Sequence, residues 1–320
     1  MGKLTTVPTQ SSLLITTMQK QLLSYTTLLA ALALPLAAQM GPPIQAGKTF
    51  YAGEVLTIFQ GDAGLDSGGE MSVDRLGIKF GVIRGLEGGS SIGGGISYTK
   101  ADYTFSGVPA ASSFSPWDDI NVWQASLQYR YAIDRQSSLF LMPSISAAGE
   151  SGVSLSDALE FGAIFGYTKQ FSPSLTLGFG GGVFNGLEDT SGFPVIFVYW
   201  QINEDWRMSN PFRPGPSGPA GLELVYTGIS DWEVGFGGGY KVNRYALDDV
   251  GAAPDGFGQN TGAALFIRAS HEFKNGGSLD LYVATVVGGK LELEDRNGRL
   301  LASTDYDPSL QFALAYSQRW

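Results

Sequence analysis

L-Q-F-A-L-A-Y-S-Q-R-W, at positions 310–320, ends the chain and decides how the rest is read. Leu310, Phe312, Leu314, Tyr316 and Trp320 take every second position, interrupted only by Gln318. Gln311, Ala313, Ala315, Ser317 and Arg319 take the positions between. Side chains of a strand point alternately to opposite faces, so this strand is apolar on one face and small or polar on the other. The last residue is the aromatic Trp320.

The same period of two runs back through the chain. Trp123, Ala125, Leu127, Tyr129, Tyr131 and Ile133 oppose Gln124, Ser126, Gln128 and Arg130. Trp232, Val234, Phe236, Gly238, Tyr240 and Val242 oppose Glu233, Gly235, Gly237, Gly239 and Lys241. Leu279, Leu281 and Val283 oppose Asp280, Tyr282 and Ala284. Alternation sustained over ten or so residues specifies strand rather than helix. It predicts fourteen strands: 48–60, 71–84, 91–105, 119–134, 138–148, 158–171, 174–185, 193–202, 204–209, 221–229, 231–245, 259–273, 278–291 and 307–320. A count of twelve is the alternative. The connectors sort by length. Short ones fall at 85–90, 135–137, 172–173, 203, 230 and 274–277. Longer ones fall at 61–70, 106–118, 149–157, 186–192, 210–220, 246–258 and 292–306. Lys274-Asn275-Gly276-Gly277 carries the Asn-Gly pair of a tight hairpin, whose central residues take positive φ.

An even number of strands, with short turns on one side and long loops on the other, predicts an all-β, transmembrane, antiparallel up-and-down barrel. The closing strand resembles that of bacterial outer-membrane β-barrels, whose terminal aromatic and alternating apolar positions are read by the barrel-assembly machinery. That resemblance makes Phe312, Leu314, Tyr316 and Trp320 the expected assembly signal. It also implies an outer-membrane location, termini on the periplasmic side, and lipid and lipopolysaccharide as surroundings. The strand layout, with stretches such as Asn203-Glu204-Asp205-Trp206-Arg207, is similar to outer-membrane barrels known only as domains of unknown function. It transfers no active residue.

The first 38 residues read as a signal peptide preceding a barrel over 39–320. Lys20 supplies a positive charge, residues 22–36 an apolar core, and Ala37 and Ala38 the small residues before cleavage. Met18 is the expected true start. Strand one then begins roughly ten residues after the cleavage site, leaving no N-terminal plug. Fourteen-stranded fatty-acid channels carry such a hatch, so this chain departs from them.

Composition excludes several functions. The 320 residues carry a net charge of −10 and no cysteine. An acidic chain lacks the basic footprint that nucleic acid requires. Without cysteine there are no disulfides, thiolate metal sites or thiol nucleophiles. The single histidine, His271, is in phase with the apolar face of its strand and near a short turn. A base there reaches neither lumen nor nucleophile, so no catalytic residue is assigned. The acidic loop residues, among them Asp62, Asp66 and Glu70, lack calcium-loop spacing, so no metal or cofactor is expected. Aromatics near the strand ends predict two interfacial belts. Tyr129, Tyr131, Tyr167, Phe171, Tyr199, Trp200, Trp206, Trp232, Phe273 and Trp320 form one. Tyr103, Phe105, Trp123, Phe184, Phe193, Tyr240 and Tyr245 form the other.

Charges in the polar phase are Lys79, Arg130, Glu223, Glu233, Lys241, Arg268, Glu272 and Asp280. Facing lipid, such a charge costs about 2–4 kcal/mol near the midplane, so they belong inside the barrel. Glu223, Glu233, Arg268, Glu272 and Asp280 come from four consecutive strands and are expected to form one patch. Either they pair and close the lumen, or they line a wet pore. Three glycine runs lie within strands and permit close approach of interior groups. The stretch 211–219, rich in proline, is expected to be a stiff outer loop, with folding into the mouth as a constriction the alternative. Two functions follow from this reading: a passive or weakly selective channel for small solutes, or a closed barrel that acts through its loops.

Mass spectrometry of the precursor and the mature protein is expected to find starts at Met18 and Gln39. A mature chain that retains the 22–36 segment contradicts the signal assignment.

Overall fold

The computed structural model describes residues 43–108, 117–187, 189–211, 213–217 and 221–320. The expected signal segment and Met18 lie outside them. The strands are β1 Thr49–Gly64, β2 Glu70–Gly85, β3 Ser91–Ser106, β4 Ile120–Ala132, β5 Ser137–Glu150, β6 Leu159–Ser172, β7 Leu175–Gly186 and β8 Asp189–Gln201. They continue with β9 Trp206–Ser209, β10 Gly221–Ile229, β11 Trp232–Ala246, β12 Phe257–Glu272, β13 Gly277–Glu294, β14 Leu300–Tyr306 and β15 Ser309–Arg319. Each of β1 to β13 pairs antiparallel with the next.

β14 and β15 are two halves of one stave. β13 pairs with β15 from Gly277 to Val286 and with β14 from Gly289 to Glu294. The break falls at Asp307-Pro308, where proline has no N–H to give the ladder. β15 then pairs with β1, from Ala52↔Arg319 to Gln60↔Gln311. The sheet thus closes on itself as an all-β antiparallel barrel of fourteen staves.

Burial is inverted relative to a water-soluble protein. On β12, Ile267 is 62% exposed while its neighbour Arg268 is 1% exposed. On β15, Leu310, Phe312, Leu314 and Tyr316 are exposed while Gln311, Ala313 and Ala315 are buried. The same holds for exposed Leu76, Ile78 and Phe80 on β2, which flank buried Lys79. A continuous apolar outer wall is far larger than a soluble monomer presents to water, and it matches hydrocarbon.

Three connectors expected to be long are mostly strand. Residues 61–64 extend β1, Asp189 to Gly192 begin β8, and 292–306 form the β13–β14 hairpin around Asp295 and Gly298. These segments alternate weakly in the sequence because they stand beyond the apolar band, where outward residues need not be greasy. Asp295 stabilises its hairpin: its Oδ1 accepts from the N–H groups of Asn297 and Arg299, both at 2.9 Å. Those bonds hold its carboxyl below the usual range.

The near belt, beside the termini, is largely as expected. Trp320 stacks with Tyr51 and lies beside Phe80 on the outer wall, and Trp206 packs on Tyr226 and Phe236. Tyr199 is an exception; it packs inward against Phe140, Met142 and Ile164. The far belt is mostly a misreading. Only Trp123 and Tyr240 are exposed outside. Tyr103, Phe105 and Tyr245 pack inside with Trp117, Leu291, Leu293 and Tyr306, while Phe184 and Phe193 pack on the β5–β8 interior. Proximity to a loop suggested a belt, but strand phase decides the face. Tyr103 shares the phase of buried Ala101, not of exposed Asp102.

Ile267→Arg is expected to destabilise the folded barrel by about 2–4 kcal/mol in urea refolding from lipid vesicles. A change under about 0.5 kcal/mol, the size of an ordinary surface substitution, contradicts a lipid-facing outer wall.

Candidate functional site in the barrel interior

The interior is organised in three zones. At the far end, away from the termini, the aromatic cluster of Tyr103, Trp117, Tyr245 and Tyr306 fills the mouth. Trp117 meets Tyr245 edge-on at 5.1 Å and Tyr103 at 5.7 Å. The strand end of β11 reaches β5 there, through Ala246↔Gly149. Along β5–β8 the wall is apolar, with Phe140, Met142, Ile164, Phe184 and Phe197 buried. Inward glycines make room for these rings. A Cβ on Gly182 would lie 2.5 Å from the Phe193 ring, and one on Gly166 would lie 2.6 Å from Phe140.

The third zone is charged. Arg268 on β12 donates from Nε to Glu223 Oε1 on β10 at 2.7 Å. Its Nη2 reaches Glu233 Oε2 on β11 at 3.3 Å, and its Nη1 reaches Asp280 Oδ1 on β13 at 3.4 Å. Gly235 is part of this arrangement, since a Cβ there would overlap the Glu223 carboxylate. The structure therefore brings together Glu223, Glu233, Arg268 and Asp280, with Glu272 at the edge toward the near end.

Two further cations complete the cluster, and the sequence reading missed both. Arg207 on β9 donates to Glu233 Oε1 at 2.9 Å. Arg213, from the proline-rich stretch, donates to Glu272 Oε1 at 2.7 Å and lies 3.4 Å from both Glu233 Oε2 and Asp280 Oδ1. Its described part, 213–217, is therefore more than a stiff loop: it lies within the lumen. Gly215 seats against Tyr282, where a Cβ would lie 2.7 Å from the ring, and Ser217 is buried. Asn210 anchors the entry to this loop. Its Oδ1 accepts from Val198 N–H at 2.8 Å, and its Nδ2 donates to the carbonyls of Ile196 and Gly221. A single Asn thus satisfies backbone groups on β8 and β10 just where the four-residue β9 ends. Arg213 left no periodic signal because it is on a loop. Arg207 sits in a strand too short to show a phase.

The other interior candidates are placed apart. Lys79 is buried on β2 opposite Glu54 of β1, an inward carboxylate absent from the sequence list. Arg130 lies near the short turns, donating to Ser138 Oγ at 3.1 Å and the Gly89 carbonyl at 3.2 Å. Lys241 lines a separate polar cavity with Arg75. His271 lies on the outer wall between Trp232 and Phe273, with ring centroids 4.8 and 4.7 Å away.

A closed, even-stranded meander with an apolar exterior and a charged interior is the outer-membrane type of β-barrel. No protein-family model and no curated protein matches the chain. Several solved structures are similar to it. The toluene transporter TodX of Pseudomonas putida aligns over 93% of this chain and 99% of its own, at 10% identity and TM-score 0.47. The COG4313 outer membrane channel of Pseudomonas putida F1 aligns over 87% and 97%, at 10% identity and TM-score 0.46. The translocator domain of the autotransporter NalP from Neisseria meningitidis aligns over 97% and 98%, at 11% identity and TM-score 0.39.

Arg268→Ala leaves Glu223 buried without its cation and Asp280 with only Arg213, so a loss of about 3–5 kcal/mol is expected in urea refolding. A loss below about 1 kcal/mol would show that the cluster is hydrated rather than closed upon itself.

Proposed function

We propose that this chain is an outer-membrane channel for small solutes, closed at rest by its own inserted loop. The observation that carries this reading is the ion pairing of Arg213. A barrel of fourteen staves is wider than its strand side chains alone can fill. Here part of the filling comes from a connector rather than from a strand, and its charged contact is with side chains of β11, β12 and β13. Such a contact can break while every strand pairing stays intact.

The strengths are unequal. Arg268 is embedded among buried carboxylates, and its removal is expensive. Arg213 is about a quarter exposed and Glu272 more than half, so their pairing is screened and contributes little. The loop latch is thus the weaker part of the same cluster, and a transition that releases it leaves the wall standing. The apolar β5–β8 wall faces the lumen on the other side, which suits solutes with an apolar body. In this reading the apolar exterior lies in the outer membrane, the termini and short turns are periplasmic, and the protein is a conduit, not a catalyst.

Planar-bilayer recording tests the proposal. Loss of about 0.5–1 kcal/mol of latch energy in Arg213→Ala shifts the closed-to-open balance roughly two- to fivefold. Openings are therefore expected to be rare in the wild type and about two to five times more frequent in the variant. A variant as silent as the wild type, though folded by heat-modifiable gel migration, overturns the channel reading and favours a closed barrel.

A further inference from the structure

Between the far-end aromatic cluster and the Arg268 cluster lies a small, partly open polar cavity. Its only charged lining residues are Arg75 of β2 and Lys241 of β11. Both are inward by strand phase, and no carboxylate lines the space. Among the described residues neither forms an ion pair. We propose that this cavity is a binding site for one small inorganic anion of chloride size.

The hydrogen-bond inventory supports an anion over a cation or an empty gap. The amides beside the cavity are largely spent on each other. Gln311 Nε2 donates to Gln60 Oε1 at 2.7 Å, and Gln60 Nε2 donates to Ser309 Oγ at 2.9 Å. Asn260 accepts from Tyr306 Oη at 3.0 Å and donates to Tyr103 Oη at 3.2 Å. What remains to face the space is one amide oxygen, Gln311 Oε1, buried without a partner, against a larger set of donors. Arg75 Nη1 is buried without a partner, and Lys241 and Asn243 stand on the same inward phase of β11. Two positive groups sharing one cavity repel, and at low effective dielectric that repulsion is strong unless a counter-charge lies between them. Rings of Arg and Lys serve this purpose in anion-conducting pores.

Size narrows the class. The cavity has room for about one water-sized group, and Tyr306 and Val286 line it on the side of the far-end cluster. A monatomic halide is close to that size, whereas a phosphate ester or a bulky carboxylate is several such groups across. The site is a property of the folded barrel and does not depend on whether the barrel conducts.

The test uses the full barrel folded in detergent. Thermal unfolding is measured in chloride and in isethionate, a larger anion, at equal ionic strength. Crystals soaked in bromide give an anomalous difference map. The wild type is expected to unfold at higher temperature in chloride, with saturation, and to show one bromide peak between Arg75 and Lys241. Arg75→Gln and Lys241→Gln are each expected to lose the chloride-specific stabilisation, while Arg130→Gln, at the near end, retains it. Equal stability in the two salts, a chloride effect unchanged in both variants, or no bromide peak in the cavity overturns the proposal. If the variants fail to fold, the wild-type bromide map decides alone.

Discussion

Backbone pairing without an edge is the constraint on which the rest of the structure depends. Inside hydrocarbon no water serves an unpaired N–H or C=O, so a sheet survives there only if its first and last strands meet. β1 and β15 do so over nine consecutive register pairs, from Ala52↔Arg319 to Gln60↔Gln311. The terminal strand is therefore more than an end. Its inward Gln311 bonds to Gln60 across the same seam, and its outward Trp320 stacks with Tyr51 of β1. Backbone, interior amide and exterior ring all join the two ends of the chain.

Closure forces a second choice, because a ring of fourteen strands encloses more space than short side chains fill. This chain fills it unevenly. Rings occupy the far mouth and the β5–β8 wall, charges the β10–β13 side, and a connector brings Arg213 in to complete the charges. The energetic consequence is a graded interior. Arg268 and Asp280 are sequestered completely, at 1% and 0% exposure, and belong to the frame. The loop joins this frame through Arg213, itself about a quarter exposed, which pairs with Glu233, Glu272 and Asp280. In the proposed channel, the frame and the releasable contact are thereby different parts of one cluster.

Much of this was legible in the sequence wherever alternation is strong. The period of two placed Glu223, Glu233, Arg268 and Asp280 inside, and their order along four consecutive strands brought them together. Phase failed where it was not consulted. Tyr103, Phe184, Phe193 and Tyr245 looked interfacial from their distance to a loop, yet each lies on the inward face. It also failed where it is undefined: Arg213 is on a loop, and β9 is only four residues long. Arg75 and Glu54 were readable in phase but sit among apolar neighbours that masked them. The pairing of β13 with two successive half-strands could not be foreseen, because Pro308 reads as the start of a strand rather than a break within one.

The central claim is that hydrocarbon touches the outer wall and not the filled far mouth. Fluorescence quenching by brominated lipid tests it most directly, using two variants that each retain one tryptophan. Trp123 is 58% exposed on the outer wall and Trp117 is 4% exposed within the aromatic cluster. Strong quenching of Trp123 with little quenching of Trp117 is the predicted result. Equal quenching of the two, or none of either in vesicles that contain the folded protein, contradicts the account.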